Sequence, residues 1–341
     1  MFGVQHPEIT FTKHVNTTDN FAANIGTTNV TDKQKDLSLG AESRDEQTVP
    51  KDLSLGPKSK DEQTVPKVVG TNPISDKLKL VKVINTKGVT SPDLSSIDVL
   101  NIQDSVKIVV ADNANSCIKC YNYDDGTLHC VCKTSGKPRC LTKLGNGNHV
   151  AVTIPTHRQI IFVEVDSIIT TTKSIHTGKS YSWITQLLDS SLAVSVWASD
   201  PGYVDILDLN GHVIRSISDL PPEPRYLTSL GESLLVMSYK YTCKAFTRVT
   251  LSPSSRHIDW VKSRDSMMLK DARGITCDGH GFIYVTDFDR HSVVQISADG
   301  DVIRDIMTQQ DGLVNPRAVC FVRDCLYLTQ ENGEIKIFTW T

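Results

Sequence analysis

The chain of 341 residues has no run approaching the ~18–20 consecutive apolar residues of a membrane helix, and its start, MFGVQHPEITFTK, lacks the apolar stretch of a secretory signal. Both absences point to a cytoplasmic chain without a membrane partner. No sign of charge dominates either: 36 Lys and Arg stand against 39 Asp and Glu, and residues 77–341 hold 28 of each. Nonspecific nucleic-acid binding needs a clear basic excess, so only a local patch is left for it. Missing too are a Walker loop, a Gly-rich dinucleotide fingerprint, a Ser/His/Asp triad motif, a long heptad run and any Cys/His zinc framework before Cys117. These absences lead to the expectation of a protein that is not an enzyme and needs no cofactor. Cysteine is present but odd in number, nine in all, and several lie inside apolar strand patterns where a free thiol behaves as a small hydrophobe. Two sequons, at Asn16 and Asn29, matter only in a secreted chain.

What is there is a periodicity. The runs KIVVAD, HVAVTI, SLAVSVW, SLLVMSY, FIYVTD and CLYLTQ are centred on Val110, Val152, Val194, Val236, Val285 and Leu328, at spacings of 42, 42, 42, 49 and 43 residues. A period of ~40–50 residues with several strands per unit is the mark of a β-propeller. The expected fold is therefore all-β, a propeller of six blades. In the fifth unit RGITCDG, FIYVTDFD, SVVQISADG and DVIRDIM supply four strands separated by Gly- or Asp-marked turns. In the third unit the last hairpin turns at Asn210-Gly211, and in the first at Asp125-Gly126. The sixth unit supplies only three strands before Thr341, whereas LKLVKVIN, residues 78–85, has no partner in its own neighbourhood. That segment is expected to close the ring as the outer strand of the last blade, because an open ring leaves strand edges free to pair.

Residues 1–76 differ from the rest. KDLSLGAESRDEQTVP (35–50) is followed at once by KDLSLGPKSKDEQTVP (51–66), a tandem 16-residue duplication too polar to build a core. A disordered or weakly structured tail ahead of a propeller at 77–341 is the expected organisation, with the duplicated segment either a linker or a docking motif shown twice. ITFTKHVNTT, near the start, alternates like a strand and either packs on the propeller or continues an upstream module.

RGITCDGHGFIYVTDFDRHSVVQISADGD resembles an NHL repeat, and NPRAVCFVRDCLYLTQENGEIKIF is similar in a weaker way. The resemblance is good over residues 272–338, weaker over 137–250 and absent before 76. Where the family has Asn, His and Arg after Thr-Asp, this chain has Arg290, His291 and Ser292. NHL repeats form six-bladed propellers, and one following a polar linker is similar to the C-terminal part of tripartite-motif (TRIM) proteins. That resemblance implies selection of substrates for ubiquitination or binding of RNA. The RING, B-boxes and coiled coil of the family have no counterpart here, so a TRIM relative of this kind is a truncated form or a fragment, with ligase activity only through a RING-bearing longer form or partner.

Geometry locates a candidate binding face. In a four-stranded meander the turn between strands two and three and the link into the next blade emerge at the same end. These segments bring Arg158, Trp197, Tyr203, Tyr239, Tyr241, Phe288 and Arg290 together with Arg139, Arg225, Arg273 and Arg317. The last four lie 13, 11, 12 and 11 residues before the central residue of their blades, which places Arg at a similar radius near the channel mouth. Guanidinium forks suit carboxylate or phosphate, and the aromatics are types enriched in hot spots. The alternative is that each Arg pairs with a local acid such as Asp112, Asp200 or Asp287 and only ties strands together. Cys117, Cys120, Cys130 and Cys132 fall on the third and fourth strands of the first blade; they are expected to be structural thiols, with a zinc site or a disulfide as the alternatives, because strand alternation lets at most three converge on a zinc ion. A protein or peptide partner is the expected ligand, RNA the alternative, and metal-dependent hydrolase or lyase chemistry the third reading.

Overall fold

The six apolar runs form the second strands of six four-stranded antiparallel sheets, and each blade turns directly into the next. A computed structural model of the chain describes residues 77–341 except 89, 198, 200, 241, 242, 252–255, 264–268 and 341, all within the unit Val69–Thr341. The tail and its duplication lie outside the described residues. The inner strands are Leu94–Ile102, Leu141–Leu144, Tyr181–Gln186, Pro224–Leu230, Ala272–Cys277 and Pro316–Val322. The last blade is completed by Leu78–Asn85, which pairs antiparallel with Glu334–Trp340 in a register running from Leu78 opposite Trp340 to Asn85 opposite Glu334. The expected ring closure is therefore present.

The repeat spacing has a packing cause. All six central residues are fully buried, and each enters the apolar cluster shared with the preceding blade. The residue before each one, Val109, Ala151, Ala193, Leu235, Tyr284 or Tyr327, enters the cluster shared with the following blade. A strand alternates its side chains, so two consecutive apolar residues serve both neighbours, and the core is six slabs between blades. Toward the rim only one face is needed: Ile169–His176 keeps its two isoleucines buried and exposes the residues between them.

Hydroxyl groups pin adjacent blades near the channel. Thr153, Thr286 and Thr329 each directly follow a central residue; their Oγ1 atoms donate to the carbonyls of Ser182, Arg317 and Leu94 on the next blade, at 2.8, 2.6 and 3.0 Å. Gly274 permits the same approach, because a Cβ there would stand 2.5 Å from the Arg317 carbonyl.

The closing strand is tied on both sides. Thr86 donates from its amide and its hydroxyl to the Gly333 carbonyl at 3.0 and 2.7 Å, while Lys82 Nζ reaches the Tyr123 and Asp124 carbonyls of the first blade, each at 2.6 Å. Ile84 is buried in the slab between the last and first blades. Deleting residues 78–85 is expected to replace a single cooperative urea transition, followed by circular dichroism, with a broad one; an unchanged single transition would show that the ring holds without its closing strand.

Candidate functional site

Near their starts five of the six inner strands carry one residue more than the second strand they pair with. The register shifts at Leu94/Ser96, Tyr181/Trp183, Arg225/Leu227, Ala272/Gly274 and Pro316/Val319. In the second blade Thr153 accepts from the Arg139 amide and donates to the Cys140 carbonyl, both at 2.9 Å. A bulge frees one side chain from the alternation and re-aims it. Here it turns Arg139, Arg225, Arg273 and Arg317 to one mouth of the channel, where with Ser95, Trp197, Tyr226, Asp271 and Ala272 they line a cavity of about 280 Å³. The four arginines singled out by their spacing are thus brought together.

Aromatic rings hold them. The Arg225 and Arg139 guanidinium carbons lie 4.6 and 5.3 Å from the Trp197 ring centroid, and both also face Trp183, at 5.9 and 5.5 Å. Trp183 and Tyr226 are in contact at 5.5 Å between centroids, one residue further along their inner strands than the arginine level. Arg273 lies 3.3 Å from the Phe288 centroid. Stacking of this kind orients a guanidinium while its edges stay free to donate.

Carboxylates occupy part of those edges. Arg225 pairs with Glu223 at 2.9 Å, Arg273 with Asp271 at 2.8 Å, and Arg317 with Asp93 and, at 3.3 Å, Glu331. Pairing with local acids is therefore real, but the partners differ from those expected. Asp112 binds Lys119 at 2.7 Å and accepts from the Asp93 amide, while Asp287 accepts from the amides of Lys270 and Asp271; both fasten the incoming link. Asp200 lies outside the described residues. Burial works against ionisation of Asp112, but Lys119, Asn115 and the Asp93 amide outweigh it and hold its carboxyl below the usual range. No carboxylate pairs with Arg139 among the described residues.

Other expected site residues lie apart. Arg158 caps the short 3-10 turn Pro155–His157 in an exposed position, Arg290 pairs with Asp305 at 2.5 Å, and Tyr203 lies under Lys179 Nζ at 4.3 Å; none of them lines the cavity. Phe288 is only 8 % exposed, so it serves as a platform for Arg273 and not as a surface anchor. Trp197 is 49 % exposed and stands at the rim. Tyr241 and the side chain of Tyr239 lie outside what the structure describes. Trp183 and Tyr226 were missed as site residues. Trp183 follows Ser182, the residue at the arginine level of its strand, and its place in the apolar run YSWITQLLD marks it only as core.

Further along the inner strands, the positions opposite the residue before each central one carry Asp98, Thr142, Thr185, Thr228, Thr276 and Cys320. They form one polar level of a narrow channel of about 110 Å³. Desolvation raises the Asp98 pKa despite the amides of Lys143 at 2.7 Å and Val99 at 2.8 Å and the nearby Cys320 thiol at 3.5 Å. In the first blade Cys120 lies directly opposite Cys130, whereas Cys117 opposes Lys133 and Cys132 opposes Ile118. Burial pushes the Cys120 thiol up to about 12 and raises Cys117 and Cys130 as well. Among the described residues no group of three or more His, Cys, Asp or Glu is placed to hold a metal ion.

No family model matches the chain, and no curated protein sequence matches it. Solved structures do. Virginiamycin B lyase from Staphylococcus aureus is similar over 78 % of this chain and all of its own, with 14 % identity and a TM-score of 0.57. A luciferin-regenerating enzyme matches 76 % of this chain and 95 % of its own at 12 % identity and 0.56, and the Swd1 propeller of Myceliophteria thermophila 76 % and 100 % at 12 % and 0.52. At such identities the likeness is one of fold, and the fold is shared by enzymes and non-enzymes. Among the described residues no helix is long and apolar enough to cross a membrane.

Two measurements follow from the site. Because the Asp98 pKa is raised above 3.8, the folded state binds the proton more tightly than the unfolded one, so this group's stabilisation is full below the unfolded pKa and lost as pH rises through the folded pKa. Asp98→Asn is expected to flatten the fall in urea midpoint above pH ~4, and a profile identical to wild type would remove Asp98 as its source. Trp183→Ala is expected to cost about 3–5 kcal/mol in urea unfolding, as for a large buried aromatic; a loss below ~1 kcal/mol would show that the indole is not wedged between the arginines.

Proposed function

We propose that the propeller is a non-catalytic recognition module that captures a protein or peptide partner at the arginine-bearing mouth. The observation that carries this reading is the convergence of Arg139, Arg225, Arg273 and Arg317 on one cavity beside the half-exposed Trp197. Anion anchors next to an exposed indole combine the residue types that dominate protein interfaces. Trp197 and the four arginines are the residues assigned to the contact. The similarity of residues 272–338 to NHL repeats supports a role like that of the TRIM propellers, which select substrates for ubiquitination.

RNA is the second reading, favoured by arginines interleaved with aromatic rings. Against it, Glu223, Asp271, Asp93 and Glu331 alternate with the arginines around the mouth, and a phosphodiester strand leaving the cavity would meet negative charge. A mixed rim suits a partner of mixed charge. Metal-dependent hydrolysis or lyase chemistry has less support, because the mouth presents cations and rings where converging metal ligands would be needed.

Capture of partners from cells with the full chain tests this, set beside Trp197→Ala and the triple variant Arg225→Ala/Arg273→Ala/Arg317→Ala, each checked for cooperative unfolding. A protein partner predicts retention that survives ribonuclease and is lost in both variants. Loss on ribonuclease treatment would replace this reading with RNA binding, and equal capture by wild type and variants would return the arginines to a structural role.

A further inference from the structure

We infer that the anion seated in this mouth is a phosphorylated side chain of a peptide, and not a carboxylate; this rests on the recognition role proposed above. Carboxylate recognition needs one guanidinium fork, since two coplanar oxygens take two parallel N–H donors. The mouth instead aims four guanidinium groups at one cavity from four different blades, so they approach around the channel axis and not in one plane. A phosphoryl group, tetrahedral with three strong acceptor oxygens and close to two negative charges at neutral pH, matches donors arriving from several directions.

The charge balance agrees. Four arginines line the cavity with one carboxylate, Asp271, which Arg273 already holds through Nε at 2.9 Å and Nη2 at 2.8 Å, while Glu223, Asp93 and Glu331 pair with Arg225 and Arg317 from outside the lining. Arg139 lies against the touching Trp183 and Trp197 rings, with no carboxylate on it among the described residues. The volume of about 280 Å³ admits one side chain and its phosphate, not a folded surface. Around the rim Glu331 is 51 % exposed, so residues flanking the phosphate are expected to be neutral or basic.

Four probes distinguish the outcomes for the full chain: a degenerate phosphothreonine peptide pool, the same pool unphosphorylated, the pool with Glu in place of phosphothreonine, and an oligouridylate. The phosphorylated pool should bind at least about tenfold more tightly than the other three, with Arg139→Lys losing about tenfold because it keeps the charge but not the fork. Arg139 carries no ion pair among the described residues, and the urea midpoint of the variant, read beside its binding, separates loss of the fork from loss of the fold. Equal binding of the Glu pool would overturn the phosphate inference and leave anion recognition intact. Tighter binding of oligouridylate would overturn it in favour of RNA. Retention of none of the four, while cellular partners are still captured through the arginines, would also overturn it without touching the recognition reading; loss of both would end both.

Discussion

Closure of the ring is the constraint on which everything else depends. Each blade presents apolar side chains on both faces, so each requires two neighbours, and six apolar slabs exist only if the sixth blade meets the first. That last junction is made by Leu78–Asn85, which extends the sheet of the final blade while Ile84 packs into the slab and Lys82 bonds to carbonyls of the first. A segment remote in sequence from its partner strand therefore decides whether five other junctions have a fixed curvature. Pairing also removes the exposed edge that Glu334–Trp340 would otherwise offer.

The mouth inherits its geometry from that ring. Bulges at the start of the inner strands release single side chains toward the axis, and equivalent positions in different blades converge because the blades are arranged around it. Nothing local would hold four guanidinium groups close together, given their mutual repulsion. Indole and phenyl faces, together with acids two residues upstream at Glu223 and Asp271, keep Arg225 and Arg273 in place. The result is a cavity neither strongly basic nor neutral, in which shape and donor direction matter more than net charge.

The sequence disclosed the fold because a buried second strand needs apolar residues of both parities, and the interval between them is the length of a blade. It disclosed the mouth arginines for the same reason, as an offset from Val236, Val285 and Leu328 survives folding. It concealed the ion pairs, since Asp112 and Asp287 resemble free strand-end acids but are consumed by backbone amides of the incoming link. It also concealed Trp183, whose place in an apolar strand pattern marks it as core although its ring also supports Arg139 and Arg225. Arg158 and Arg290 belong to the right loops, yet exposure in one case and Asp305 in the other keep them from the cavity. Loop membership follows from topology; side-chain direction does not.

Native-state hydrogen exchange of the inner-strand amides in all six blades is the most direct test of the closed ring. If closure makes the slabs mutually dependent, these amides open with one shared free energy, equal to that of global unfolding and lowered equally by Ile84→Ala. A gradient, with blades remote from Ile84 keeping their protection while the first and last lose theirs, would show six independent repeats and contradict a mouth assembled by the ring.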